Sequence, residues 1–110
     1  MKKTGKGNIF CGIPEEIPEE VFETISGGAA VKIERIISRG QATPAGKWYD
    51  QDLNEWVILL QGSAEIAFED TDEIIALEPG DYVNIAAHCR HRVNRTDDVG
   101  PTVWLAIHYR

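Results

Sequence analysis

Histidine and cysteine are scarce in this sequence of 110 residues, which has three histidines and two cysteines. Cys11 and Cys89 lie far apart and form no CxxC pair, so we expect two free thiols in a reducing cytosol rather than a disulfide framework. Residues suited to metal binding are therefore few, and all three histidines lie between positions 88 and 108.

Basic residues are also fewer than acidic residues. The sequence has 11 Lys+Arg against 18 Asp+Glu, a formal net charge of −7. Binding to a nucleic-acid backbone needs a positive patch that displaces counterions. The basic residues cluster only at Lys2, Lys3 and Lys6, at a glycine-rich start. We therefore predict no nucleic-acid partner.

Long apolar runs are missing as well. No run approaches the roughly 20 residues that span a bilayer, and the N-terminus lacks the apolar stretch of a secretory signal. The sequence therefore predicts a cytoplasmic protein without a membrane partner. Its length and its 43% hydrophobic content predict one globular domain over residues 9–110, after a flexible lead over residues 1–8.

Short apolar segments separated by turn residues dominate the rest of the chain. Their two-residue alternation predicts an antiparallel β-sandwich or barrel, with strands over residues 31–36, 55–61, 64–68, 73–77, 82–85, 92–95 and 102–109. The N-terminal part of the sequence shows a different pattern. Ile9 and Phe10 suggest a short strand, while Pro14 and Pro18, each followed by acids, predict one or two helical turns that end at Gly27-Gly28.

The segment from Trp56 to Leu60 is apolar at every position. An antiparallel strand with one wet face should alternate, so both faces of this strand must be covered. Two coverings are open: a second sheet of the same chain, or a homodimer that packs across Trp56, Ile58 and Leu60.

Two segments carry residues at spacings typical of a small-molecule site. In the first, Tyr49, Gln51 and Glu55 are followed by Gly62, and in the second Gly80 is followed eleven residues later by His91. Together they resemble the two motifs of the cupins, and the resemblance covers residues 40–109. It implies an all-β, single-domain antiparallel β-barrel or jelly roll, here with a short N-terminal helical segment.

The resemblance also implies a site. Cupins usually place His, His, Glu and His around a divalent metal, and the matching positions here are Tyr49, Gln51, Glu55 and His91. It implies that Gln51, Glu55 and His91 hold a divalent ion such as Zn, Mn, Ni or Fe, and that Tyr49 and Glu55 are catalytic. Carboxylate and amide oxygens favour harder ions than imidazole does, so the altered first motif predicts weaker metal binding.

Three functions follow from this interpretation. The first is a metal-dependent enzyme that performs isomerase-, lyase- or hydrolase-type chemistry on a small polar molecule. The second is a metal-free module that binds or senses a small molecule, and the third is a structural dimer whose apolar face is functional.

Three residues near the predicted site have roles that the sequence leaves open. By alternation His88 points away from His91, while His108 shares a strand face with Trp104 and Ala106, which is either pocket or dimer surface. Cys89 is either a thiol ligand or a small buried hydrophobic residue.

Overall fold

The computed structural model describes residues 5–110, and within them every regular element is a β-strand. No helix in this part of the chain could cross a membrane. The strands are β1 (Val21–Gly27), β2 (Val31–Ser38), β3 (Asn54–Gln61), β4 (Ala64–Phe68), β5 (Ile74–Leu77), β6 (Tyr82–Ile85), β7 (His91–Thr96) and β8 (Thr102–Tyr109).

The strands form two antiparallel sheets. One has five strands in the order β1-β2-β8-β3-β6, and the other has three in the order β5-β4-β7. Apolar residues that alternate along the strands meet between the sheets and form one core. Its buried members are Ile36, Val57, Leu59, Ala64, Ile66, Phe68, Leu77, Ile85, Trp104 and Ala106. The predicted all-β architecture is confirmed.

The predicted N-terminal helical segment is wrong. Residues 13–20 form bends and irregular backbone, and Val21–Gly27 is an antiparallel strand paired with β2. Ile13 and Ile17 each precede a proline, which disfavours helical backbone at those positions, and the β-branched and aromatic residues that follow pack well in a sheet. Gly27 and Gly28 therefore begin a hairpin connection instead of ending a helix.

The predicted strand at Ile9 and Phe10 is also wrong, since both lie in a turn. Arg35 on β2 holds this region against the sheet by donating hydrogen bonds to the carbonyls of Ile9 (3.1 Å) and Cys11 (2.6 Å). Of the predicted flexible lead, residues 1–4 lie outside the described residues and residues 5–8 have no regular secondary structure.

Gly62, the glycine of the first motif, makes the tight connection between β3 and β4. Its φ of +90° lies in the left-handed region, and a Cβ there would be 2.4 Å from Thr102 Oγ1. Thr102 is fully buried at the start of β8 and cannot move aside easily. Both the conformation and the close approach therefore require glycine.

Replacing Gly62 with alanine is expected to lower the free energy of unfolding by about 2–5 kcal/mol, because the left-handed backbone costs about 1–2 kcal/mol and overpacking against Thr102 costs about 1–3 kcal/mol. Gly46→Ala is the matched control, since Gly46 has a φ of +80° with no atom within 4 Å of its would-be Cβ. It should cost about 1–2 kcal/mol. If urea unfolding shows the same loss of unfolding free energy for both variants, the close approach of Gly62 to Thr102 is contradicted.

The apolar strand β3 is covered unequally on its two faces. Val57 and Leu59 are buried between the sheets, whereas Trp56, Ile58 and Leu60 are half-buried on the opposite face. The second sheet of the same chain thus covers one face, and the homodimer predicted for the other stays a prediction.

If that face forms a dimer interface, Ile58→Glu should convert the protein to a folded monomer, because a charge cannot be buried there without a partner. Ile74→Glu is the control, since Ile74 is an exposed residue on the other sheet. Sedimentation equilibrium at several concentrations measures the result, with circular dichroism to check folding. A wild-type monomer, or a dimer that survives Ile58→Glu, would rule the interface out.

Candidate functional site

A cavity of about 80 Å³ lies between the two sheets. Seven of the eight strands contribute to its lining. It adjoins a surface cleft with which it shares Phe22, Glu34, Gln51 and His108. The lining residues are Glu20, Phe22, Glu34, Ile36, Tyr49, Gln51, Glu55, Val57, Ile66, Ile85, His91, Val93, Trp104 and His108.

All four residues of the predicted site line this cavity: Tyr49, Gln51, Glu55 and His91. Glu55 lies near the start of β3 and His91 begins β7, so the two motifs approach from different sheets. The loop before β3 is held in place by a bridge in which the backbone N–H of Tyr49 donates to the His91 carbonyl at 2.7 Å, and the N–H of His91 donates to the Tyr49 carbonyl at 3.2 Å.

Glu55 and His91 form a buried pair across the cavity. Their side chains are 10% and 7% exposed, and His91 Nε2 lies 3.5 Å from Glu55 Oε1. His91 Nδ1 is 2.8 Å from the carbonyl of Cys89. A carbonyl can only accept, so Nδ1 carries a proton, and in the neutral ring the Nε2 lone pair points toward Glu55.

The pKa of His91 is raised above its ordinary value. Burial lowers this pKa, but the interaction with the Glu55 carboxylate and the hydrogen bond to the Cys89 carbonyl raise it by more. The Glu55 carboxylate therefore favours the protonated form of His91, so the pair can hold a proton inside the cavity. A metal ion would have to displace that proton, because only the neutral imidazole binds a metal.

Glu55 and His91 are spaced as two ligands of one divalent ion would be. Two ligands bound to one ion at about 2.1 Å lie about 3.4 Å apart when the angle between them is tetrahedral, close to the 3.5 Å between His91 Nε2 and Glu55 Oε1. Within residues 5–110 no three His, Cys, Asp or Glu side chains are grouped closely enough to hold a metal. A third donor would therefore have to be another group, such as the amide of Gln51, which also lines the cavity.

Tyr49 is placed to act through its hydroxyl. Its ring stacks on that of His91, with centroids 5.7 Å apart. Burial first, and then the charges of Glu20 and Glu55, raise the pKa of Tyr49, against a smaller effect of Thr43 in the opposite direction. The phenol therefore stays protonated at neutral pH, which makes it a proton donor and a poor metal ligand.

The sequence prediction missed two acids in the cavity, Glu20 and Glu34, and left His108 undecided. His108 Nε2 lies 3.2 Å from Glu34 Oε1, and His108 is the cross-strand neighbour of Glu55. Glu20 accepts a hydrogen bond from the hydroxyl of Ser38. The available signal for His108 was that it shares a strand face with Trp104 and Ala106. Trp104 and His108 line the cavity, and Ala106 lies in the core.

Two residues near the second motif lie outside the cavity. His88 has a left-handed φ of 62° and is exposed, with Nδ1 2.8 Å from Asp50 Oδ1. Cys89 is half-buried and packs against the core, and burial, with a smaller effect of Asp70, raises the pKa of its thiol. Neither side chain lines the cavity that contains His91.

Solved structures match this chain, whereas no family model and no curated protein does. A crystal structure from Ralstonia eutropha JMP134, of a "putative mannose-6-phosphate isomerase", is 46% identical with a TM-score of 0.93. The alignment covers 96% of this chain and 98% of that one. The identity and the coverage extend the likeness from the fold to the sequence.

More distant structures share the fold. A cupin superfamily protein from Desulfitobacterium hafniense DCB-2 has 21% identity and a TM-score of 0.72, covering 88% of this chain and 83% of its own. An RmlC-like cupin protein from Desulfovibrio desulfuricans has 18% identity and a TM-score of 0.76, with 96% of each chain covered.

The raised pKa of His91 can be measured by NMR titration of EDTA-treated protein. Glu55→Gln should lower this pKa, since burial then outweighs the remaining hydrogen bond. The wild-type pair should stabilise the fold fully below about pH 6.5, and this contribution should be lost as pH rises through the pKa of folded His91.

Asp50→Asn is the control for this titration, because Asp50 contacts His88 outside the cavity. It should leave the pKa of His91 unchanged. A His91 pKa that does not fall in Glu55→Gln would show that the carboxylate does not set it.

Proposed function

This chain belongs to the cupin superfamily, and from that premise we propose that it binds a divalent metal ion and acts on a small polar molecule in the cavity. Gln51, Glu55 and His91 would hold the ion. Its position deep in the cavity would leave the remaining lining residues to contact the ligand.

The observation that carries this proposal is the orientation of His91. Its Nδ1–H donates to the Cys89 carbonyl, which directs Nε2 toward Glu55 Oε1 at 3.5 Å. Metal-binding histidines are typically oriented in this way, by a hydrogen bond from the ring nitrogen that does not bind the metal. Both side chains are buried, so water competes little for the donors.

The chain's own residues would divide the chemistry among them. Tyr49, protonated at neutral pH, can donate a proton or a hydrogen bond to an oxygen of the ligand. Glu55 can accept a proton at the carboxylate oxygen that does not bind the ion, next to the His91 ring on which Tyr49 stacks. A bound divalent ion supplies Lewis-acid stabilisation to a carbonyl or enediol oxygen.

Isomerase-, lyase- and hydrolase-type reactions all use these parts. The isomerase class has additional support from the name of the Ralstonia eutropha protein, at 46% identity. An isomerase that moves a proton between neighbouring carbons needs one group that accepts a proton and one that donates it. Glu55 and Tyr49 meet that need within one cavity.

A metal-free binding module is the second candidate. It is favoured by the donor set itself, in which an amide and a phenol replace two imidazoles. In that case Glu55 and His91 would serve as a hydrogen-bonding pair for the ligand, at the same separation of 3.5 Å.

Metal analysis separates these two functions. Protein purified without chelator or histidine tag should contain about one equivalent of a divalent ion. Glu55→Gln or His91→Ala should reduce this by about 10-fold or more, because the first removes the charged donor and the second removes the imidazole. Elemental analysis after gel filtration measures the content.

His88→Asn is the matched control, because it removes an exposed imidazole outside the cavity and asparagine tolerates the left-handed backbone at that position. It should retain the ion. Full metal content in Glu55→Gln and His91→Ala would overturn the metal site. A metal-free wild type whose melting temperature rises equally on ligand addition with and without EDTA would favour the binding module.

A further inference from the structure

The cavity is rich in acids and poor in cations. Three glutamates line it, Glu20, Glu34 and Glu55, and among residues 5–110 its basic lining residues are His91 and His108. No lysine or arginine is among its lining residues in the described part of the chain. Sites that bind phosphate use Arg, Lys or helix N-termini, and residues 5–110 contain no helix.

Each histidine is already matched with a carboxylate. His91 Nε2 lies 3.5 Å from Glu55 Oε1, and His108 Nε2 lies 3.2 Å from Glu34 Oε1. Glu20 has no cationic partner among residues 5–110, and its side chain accepts a hydrogen bond from Ser38.

The unmatched carboxylate is held firmly. The indole N–H of Trp104 donates to Ser38 Oγ at 3.2 Å, and the Ser38 hydroxyl donates to Glu20. Both Ser38 and Trp104 are buried. Burial raises the pKa of Glu20, against a smaller opposite effect of Ser38, because the ionised carboxylate loses hydration that Ser38 does not fully replace. A cation in the cavity would stabilise this ionised carboxylate.

Cations near the cavity lie in the adjoining surface cleft. Lys32 and Arg110 line that cleft together with Asp52, and Lys32 Nζ is 3.3 Å from Glu34 Oε2. The lysine is therefore already paired, and its side chain is half exposed to solvent.

The cavity is small and partly aromatic, with a volume of about 80 Å³. Three aromatic residues, Phe22, Tyr49 and Trp104, line the same space, and aromatic rings attract cations within about 6 Å.

We propose that the cavity selects a small organic cation, an ammonium compound without a phosphate group, and rejects phosphorylated sugars. This inference rests on the proposed function in using the same cavity. A metal ion would occupy Glu55 and His91, and Glu34 is paired with His108 and Lys32, so the charge preference depends chiefly on Glu20.

Isothermal titration calorimetry with three probes tests the charge preference. Choline and its uncharged isostere 3,3-dimethyl-1-butanol have nearly the same shape, and mannose 6-phosphate represents the phosphorylated sugars. Choline should bind about tenfold more tightly than the isostere, and mannose 6-phosphate should not bind. The titrations are done on the protein as purified and again after EDTA treatment.

Two outcomes overturn the proposal directly. One is equal affinity for choline and its isostere, or no choline binding at roughly 10 mM. The other is tighter binding of mannose 6-phosphate than of choline. If mannose 6-phosphate binds at the surface cleft and not in the cavity, Lys32→Ala should abolish its binding.

Glu20→Gln tests the residue that the proposal names. It keeps an oxygen that can accept the Ser38 hydrogen bond and removes the charge, so choline affinity should fall about fivefold while affinity for the isostere stays the same. Glu73→Gln, at an exposed acid in the β4–β5 turn, should change neither affinity. Unchanged choline binding in a folded Glu20→Gln variant would overturn the proposal.

Failure of the proposed function gives a different pattern. A protein without metal that still prefers choline to the isostere would refute the metal site and support the charge preference. The opposite pattern is a wild-type protein that contains metal, loses it in His91→Ala, and binds choline and its isostere equally. That result would support the metal site and refute the charge preference.

Discussion

The contact between Glu55 and His91 joins the two sheets at the point where the core gives way to a cavity. Glu55 belongs to the five-stranded sheet and His91 to the three-stranded sheet, and both side chains are nearly inaccessible to water. Removing one partner of a buried ion pair typically costs about 3–5 kcal/mol, because the other charge is left uncompensated. The surroundings of the cavity are consistent with this constraint: the Cys89 carbonyl fixes the imidazole, the Tyr49 bridge holds the loop, and the ring of Phe68 lies beside His91.

The polar groups around this contact come at a cost in stability. An apolar core could fill the same space, and burying carboxylates without full compensation is unfavourable. The chain nevertheless keeps three glutamates and two histidines there, ordered by hydrogen bonds from Ser38 and Trp104 and by the pairing of Glu34 with His108. Such an arrangement is typical of a binding site, where stability is exchanged for chemistry.

Much of this fold could be predicted from the sequence, because two-residue alternation and turn residues are local signals. The spacing of the two motifs likewise predicted one site for Tyr49, Gln51, Glu55 and His91, and all four residues line the cavity. The first strand was missed because Pro14 and Pro18 resemble helix starts, whereas pairing with β2 is a long-range interaction that overrides the local pattern.

The second half of the site needed the three-dimensional register. Glu34 and His108 are 74 positions apart in the sequence, and their contact follows from the pairing of β2 with β8. Glu20 lies before the first strand, where no alternation marks it as inward. Nothing local to the two glutamates distinguishes them from the other acids of an acidic protein, and the only local signal for His108 is the strand face that it shares with Trp104 and Ala106.

Anomalous X-ray diffraction from crystals of protein prepared without chelator shows whether Glu55 and His91 bind a metal ion. Data collected on both sides of the absorption edge of the metal found by elemental analysis locate that ion without reference to activity. We expect one anomalous peak within bonding distance of His91 Nε2 and Glu55 Oε1, about 2.0–2.2 Å from each. A peak at any other position, or an ordered cavity with water between Glu55 and His91 and no peak, would contradict it.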